Sequence, residues 1–265
     1  MPTTACNGAT LYYEEAGTGT PVVFLHGLMA GCRVFRGQLS GLDGCRALAL
    51  DFRGHGRSTK TPAGHTMAQY ARDVEAFLDG LGVDDAVLVG WSMGALVGWE
   101  YVDRFGTDRL AGFVDVDQPA SDFQWDDYDY GSWDLADLAR AVGRAQEDPD
   151  GLAESVAHSL FVDSPAADVA RAIYDEASRV PPGVVSATYV DQTLRDYRDV
   201  LPDVDVPSLV YVCGEGALAP AGAVEDVAER LPDAEAVRFE ESGHAPFLDA
   251  TDRFNRRLTE FVASL

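Results

Sequence analysis

The stretch "VLVGWSMGALVGW" (residues 87–99) runs from a strand through a turn into a helix. Val87, Leu88 and Val89 form an apolar run that reads as a buried strand. From Ala95 onward the apolar residues fall at helical spacing. Between the two lies Gly90-Trp91-Ser92-Met93-Gly94, a G-x-S-x-G turn. A turn this tight leaves no room for side chains at 90 and 94, and it lifts the serine hydroxyl above the strand ends. Ser92 also stands at a helix N-terminus, where unpaired N–H groups favour developing negative charge. Alone, G-x-S-x-G is a weak signal, because small residues co-occur often. Between a strand and a helix it reads as a nucleophile elbow, and Ser92 as the nucleophile.

The same alternation extends in both directions. Apolar runs at 22–27, 47–51, 86–92, 112–117, 208–214 and 234–240 are nearly continuous, as strands covered on both faces must be. Amphipathic stretches lie between them. Residues 67–82 place Tyr70, Val74, Phe77, Leu78 and Leu81 on one stripe, and 95–106 and 253–265 behave alike. The opening "TLYYEEAGTGTPVV" reads as an antiparallel edge hairpin. Strand, helix, strand, repeated, predicts an α/β fold with a doubly wound, mostly parallel sheet. The rhythm breaks between about 118 and 200, where no strand pattern appears. An acidic, aromatic stretch is followed there by four helical segments, separated by "EDPDG", "DSPAAD" and "RVPPG". This divides the chain into a core, 1–117 and 201–265, and a helical cap insertion, 118–200. Such a cap belongs at the C-terminal edge of the sheet, where open α/β sheets bind ligands.

Composition narrows the class. The chain has 265 residues, 46 % apolar, enough for one large domain with an insertion. The net charge is −24 and Lys60 is the sole lysine, which argues against nucleic acid or an anionic membrane surface as partner. No run of 18 apolar residues exists to span a membrane. The first residues lack the basic and apolar regions of a signal peptide. A cytoplasmic protein acting on a small molecule is the expectation. Its acidic excess reads as a solvated surface or as adaptation to salt. Cys6, Cys32, Cys45 and Cys213 show no zinc-ligand spacing and read as buried free thiols. No metal site or dinucleotide motif is found, so neither metal nor cofactor is expected.

Two further pieces accompany the elbow. "FLHG" (24–27) ends the first long parallel strand and places the Leu28 N–H as one oxyanion donor, with the Met93 N–H as the other. "ESGHAPF" (241–247) puts His244 after the last strand, as the base. Together "HG" (26–27), "DFRGHGRS" (51–58), "GWSMG" (90–94) and "SGH" (242–244) resemble the α/β-hydrolase fold family along essentially the whole chain. Within the family they look most like small bacterial esterases and the cofactor-free haloperoxidase or perhydrolase group. The resemblance implies an eight-stranded sheet, Ser92 as nucleophile and His244 as base. It argues against the dehalogenases and epoxide hydrolases, which attack with an Asp where Ser92 stands. His26 and His55 read as shaping the pocket loops, and His65 and His158 as surface or packing residues.

One element of that pattern is missing. In the family, the turn after the seventh strand carries an Asp three residues past the Gly; here, after Gly214, that position is Ala217. A histidine base without its carboxylate loses its tautomer and its imidazolium stabilisation, about 10⁴ in rate. Three candidates present themselves. Glu215 is near in sequence, but it lies only one residue past Gly214. Asp115 and Asp117, in "GFVDVDQP", are two apart on one strand and read as facing one side. Asp115 is a pleat lower and reads as a buried carboxylate bonded to backbone amides. Asp117 stands at the strand tip, level with Ser92. Some family members carry their acid after this earlier strand, so position and resemblance both favour Asp117, with Glu215 as the alternative.

The sequence therefore reads as a serine hydrolase of a carboxylic ester or lactone, with Trp91, Met29, Phe123, Trp125 and Trp133 lining an apolar pocket. Two other readings stay open: a cofactor-free oxygenase using His244 as base, and a receptor-like module that binds without turnover.

Overall fold

The computed structural model describes residues 2–214 and 218–265. Eight strands form one sheet: β1 (Thr3–Cys6), β2 (Ala9–Gly17), β3 (Thr20–Leu25), β4 (Cys45–Leu50), β5 (Ala86–Trp91), β6 (Leu110–Val116), β7 (Ser208–Cys213) and β8 (Ala234–Phe239). Their order across the sheet is β1-β2-β4-β3-β5-β6-β7-β8. The pairings β1–β2 and β2–β4 are antiparallel, and every pairing from β4 to β8 is parallel. The expected doubly wound, mostly parallel sheet is therefore present.

The N-terminal hairpin differs from the sequence reading. β2 does not pair with β3, because β4 lies between them. The hairpin partner of β2 is β1, joined to it through Asn7 and Gly8, both at positive φ (47° and 79°). Asn-Gly is the pair that a tight antiparallel turn prefers. The glycines at 17 and 19 redirect the chain toward β3 instead of closing a hairpin with it.

Helices cover both faces. α1 (Arg36–Gly41) precedes β4, α2 (Met67–Leu81) precedes β5, and α3 (Met93–Phe105) joins β5 to β6. Then follow α4 (Leu135–Glu147), α5 (Pro149–Ser159), α6 (Ala167–Ala177) and α7 (Pro182–Thr193). The remaining helices are α8 (Ala221–Arg230), α9 (Pro246–Asp249) and α10 (Thr251–Ser264). On one face Val23, Leu25, Leu48, Leu88 and Phe113 pack against Tyr70, Val74 and Phe77 of α2 and Leu96 of α3. On the other, Val22, Phe24, Val87, Val114 and Tyr211 pack against Phe254, Leu258 and Val262 of α10. Alternate residues of the central strands thus feed two cores, which is why those strands are apolar along most of their length. Among the described residues no helix is long and apolar enough to cross a membrane.

The span from 118 to 200 contributes no strand to the sheet, and its four helices, α4 to α7, fall between the breaks read from the sequence. Two isolated bridges, Phe123 with Trp133 and Trp125 with Tyr128, tie its first loop together. α4 begins with a reciprocal capping box between Asp134 and Asp137. All four cysteines are buried and free, as expected.

Candidate active site

The strand register brings the site together. Trp91 at the end of β5 lies opposite Val116 at the end of β6, so Ser92 and Asp117 both stand one residue past matched strand tips. Ser92 has φ 52° and ψ −125°, a strained conformation for a residue with a side chain. The close packing around it accounts for both glycines. A Cβ at Gly90 would lie 2.5 Å from the Ala95 backbone, and one at Gly94 would lie 2.0 Å from the Leu25 carbonyl oxygen. The neighbours hold the elbow in place: the Ser92 N–H donates to the Val116 carbonyl at 3.2 Å, and the Ala95 N–H donates to the Ser92 carbonyl at 2.8 Å.

The carboxylate beside His244 is Asp117. Its Oδ2 lies 2.8 Å from His244 Nδ1, and its Oδ1 accepts the Cys213 N–H at 3.0 Å. It is fully buried. Asp117 lies just beyond the end of β6 with φ 57°, so strand alternation does not govern its side chain. The left-handed turn, which Asp tolerates better than most residues, aims the carboxylate. Glu215 and Ala217 lie outside the described residues. Asp115 is fully buried, as read from the sequence; the Gln118 backbone N–H is the one amide acting on it, and neither carboxylate oxygen reaches full hydrogen-bond geometry among the described residues. Burial, reinforced by the neighbouring Asp117 charge, pushes its carboxyl well above the usual range.

His244 is held on a second side as well. The Trp91 indole Nε1 donates to the His244 carbonyl at 2.7 Å, and the two rings lie 5.6 Å apart. Ser92, His244 and Asp117 all line one cavity of about 190 Å³. Among the described residues Ser92 Oγ makes no hydrogen bond, and neither does His244 Nε2. Without substrate, hydrogen bonds between a nucleophile and its base are often long or poorly aligned.

The N–H groups of Leu28 and Met93 also have no partner among the described residues. His26 explains how the first is oriented. The Phe52 N–H donates to His26 Nε2 at 3.0 Å, so the ring proton sits on Nδ1, which donates to the Gly27 carbonyl at 2.8 Å. In a trans peptide the C=O and the following N–H point in opposite directions. Fixing the Gly27 oxygen on His26 therefore turns the Leu28 N–H away from the ring. Burial lowers the His26 pKa, consistent with a neutral ring. His55, also fully buried, is held well below the usual histidine range by burial and by the neighbouring His26.

Of the expected pocket residues, Trp91, Met29 and Trp133 line the cavity, and Phe123 and Trp125 do not. Those two rings pack on each other with centroids 4.9 Å apart, and the Trp125 Nε1 is anchored to Ser121 Oγ at 2.8 Å. That anchor draws the indole into the loop instead of the pocket. Several lining residues were not anticipated: Gln118 and Asp122 from the loop after β6, Val156, Ser159 and Leu160 from α5 and its end, and Tyr189 and Gln192 from α7. No sequence motif marks them, because folding of the helical segment over the strand tips is what gathers them. Among the described residues no group of three or more His, Cys, Asp or Glu is arranged to hold a metal ion.

Comparison with known proteins places this geometry. The sequence model of the alpha/beta hydrolase fold matches residues 20–251. A non-heme chloroperoxidase of Kitasatospora aureofaciens is 29 % identical, over 98 % of each chain. An esterase from Exiguobacterium antarcticum superposes with a TM-score of 0.94 at 23 % identity, covering 98 % of each chain. The enol-lactonase from Burkholderia xenovorans superposes with a TM-score of 0.86 at 23 % identity, covering 99 % of this chain and 100 % of the other.

Proposed function

The chain belongs to the α/β-hydrolase fold family, and within it we propose a serine hydrolase that cleaves a small carboxylic ester or lactone through an acyl-enzyme on Ser92. The observation that carries this reading is the 2.8 Å contact of a buried Asp117 carboxylate with His244 Nδ1, in a cavity that Ser92 shares. The carboxylate keeps the proton on Nδ1 and leaves Nε2 as the acceptor. As Ser92 Oγ attacks the substrate carbonyl, Nε2 takes its proton. The N–H groups of Leu28 and Met93 bind the resulting oxyanion; losing one such donor costs about 10²–10³ in rate. The imidazolium then returns its proton to the leaving alcohol, and the acyl group remains on Ser92. A water molecule, deprotonated by the same nitrogen, attacks the acyl carbon and releases the acid. In a lactone the alcohol and acid belong to one molecule. A cavity of about 190 Å³ is smaller than most drug-sized sites and suits a small substrate. Residues 118–200 act as its cap.

The test is covalent. A fluorophosphonate probe should label Ser92 at neutral pH, with burst kinetics on a chromogenic acetate ester, and Ser92→Ala should lose both. Absence of labelling would favour a binding module. The cofactor-free oxygenase reading draws on the placement of the acid after β6. It requires oxygen uptake with an activated aromatic substrate, and that uptake would persist in Ser92→Ala. Hydrogen peroxide in place of water in the second step would give a peracid, so halide oxidation by an esterase site needs no separate chemistry.

A further inference from the structure

The cavity that holds Ser92 contains a second, unassigned carboxylate. Asp122 lines it, with Oδ1 accepting Gln118 Nε2 at 2.9 Å. That amide is spent, since it also donates to the Pro119 carbonyl at 3.1 Å. The Gln192 side-chain amide also donates to the carboxylate, yet its own Oε1 is buried with no partner among the described residues. The wall is completed by Trp133 and Tyr189, rings 5.8 Å apart and inclined by 32°. Beside the neutral hydroxyls of Ser132, Ser159 and Tyr189, the wall offers a carboxylate, an unpaired amide oxygen and aromatic rings. Among the described residues the other ionisable side chains lining the cavity are Asp117, His244 and Tyr189, with no Lys or Arg. Asp117 is committed to His244. A buried acceptor without a donor costs free energy until a ligand supplies one.

Resting on the hydrolase reading of the same site, we infer that the substrate carries a protonated amine, bound by Asp122 and the Gln192 Oε1 against the Trp133–Tyr189 wall. A tertiary or secondary ammonium satisfies all three features at once. A secondary ammonium gives one N–H to the carboxylate and one to the orphaned oxygen, a tertiary one shares its single N–H between the two, and either lies against aromatic faces that attract cations. A neutral alkyl group of the same shape satisfies only the last surface. Burial pushes the Asp122 carboxyl up to about 6, against the opposing pull of Gln118, His244 and Gln192, so it is ionised at pH 7.5. The net charge of −24 favours the approach of a cation over that of an anion.

Matched esters test this. N,N-dimethylaminoethyl acetate and 3-methylbutyl acetate share size and shape, and differ by a protonated amine in the alcohol part. Methyl 4-(dimethylamino)butanoate and methyl 5-methylhexanoate make the same comparison in the acyl part. Binding of all four to the full-length Ser92→Ala protein is measured by titration calorimetry at pH 7.5. In at least one pair the cationic member should bind at least about tenfold more tightly. Adding Asp122→Asn should bring that ratio within about threefold of unity, and adding Gln192→Leu should lower it by a smaller factor. Equal binding in both pairs overturns the proposal without any Asp122 variant, and so does a preference that survives Asp122→Asn. The hydrolase reading fails by a different result: tight, selective binding by Ser92→Ala but no turnover of any ester by the wild-type protein.

Discussion

Asp117→Asn isolates the contact on which the proposed chemistry rests. The substitution keeps shape and volume at a fully buried site, so folding should survive. What changes is the pattern of donors and acceptors. In the wild-type protein Oδ1 accepts the Cys213 N–H at 3.0 Å and Oδ2 faces His244 Nδ1 at 2.8 Å. Asparagine has one oxygen for these two positions. If the oxygen stays on Cys213, the NH₂ faces Nδ1, the ring proton moves to Nε2, and Nε2 can no longer take the serine proton. If the amide flips, its NH₂ meets the Cys213 N–H and that buried donor is lost, at about 1–3 kcal/mol. Either way the negative charge is gone. A unit charge about 4 Å from the imidazolium is worth about 4 kcal/mol at an effective dielectric of 20. The two terms sum to about 5–7 kcal/mol, and at 1.36 kcal/mol per tenfold that is a loss on the order of 10⁴ in acylation rate. The assay is pre-steady-state release of nitrophenol from a chromogenic ester, with thermal unfolding run in parallel to confirm the fold. Glu215→Gln, measured alongside, should change the rate by less than about threefold, because the histidine already has its carboxylate. A loss below about 10² for Asp117→Asn, or a large loss for Glu215→Gln, refutes the assignment.

The elbow and the sheet carry the other predictions. Ser92→Gly should abolish ester cleavage yet raise stability by about 1–3 kcal/mol in urea unfolding, because glycine occupies φ 52° without strain. Gly94→Ala should destabilise by at least about 2 kcal/mol in the same measurement, since its Cβ would sit 2.0 Å from the Leu25 carbonyl oxygen. Asp115→Asn should stabilise, and increasingly so as pH rises. The raised Asp115 pKa means that the folded state holds a proton which the unfolded chain gives up near pH 4, so the wild-type protein loses stability as pH climbs above that value. Denaturant midpoints at pH 5 and pH 8 should show the gap between variant and wild type widening, and a constant gap would count against it.

How much of this was legible in the sequence follows from how local each signal is. The elbow is contiguous, and each part of it, from the apolar run through both glycines to the helix start, constrains its neighbours. Asp117 was legible because the strand fixes its height: Trp91 opposite Val116 is the register that two apolar runs of similar length suggest. Its aim was not, since that comes from a left-handed turn which residue type permits but does not dictate. The hairpin partner of β2 was misread because alternation identifies a strand and says nothing of its neighbour. The Asn7-Gly8 pair was the available signal and points to β1. Asp122, Tyr189 and Gln192 were invisible for a different reason. They come from a loop and a helix some 70 residues apart, and only packing over the strand tips makes them one wall.

The proposed placement of the acid on Asp117 also has a physical basis in how this sheet is built. β6 and β7 are adjacent parallel strands, with Val116 paired to Tyr211, and neighbouring strands lie about 4.8 Å apart. A carboxylate leaving either tip can therefore reach the same imidazole, provided that the backbone turns it the right way. Here the turn is fixed twice: the Asp117 N–H donates to the Tyr211 carbonyl at 3.0 Å, and Oδ1 accepts from Cys213. Both anchors belong to β7, the strand that would otherwise supply the acid. The carboxylate is thus tied by backbone atoms, which no substitution in β7 other than proline at 213 removes. With the charge supplied from β6, the proposed triad needs no carboxylate from the residues that follow Gly214. That is the physical condition under which alanine can stand at position 217 without loss of a catalytic acid.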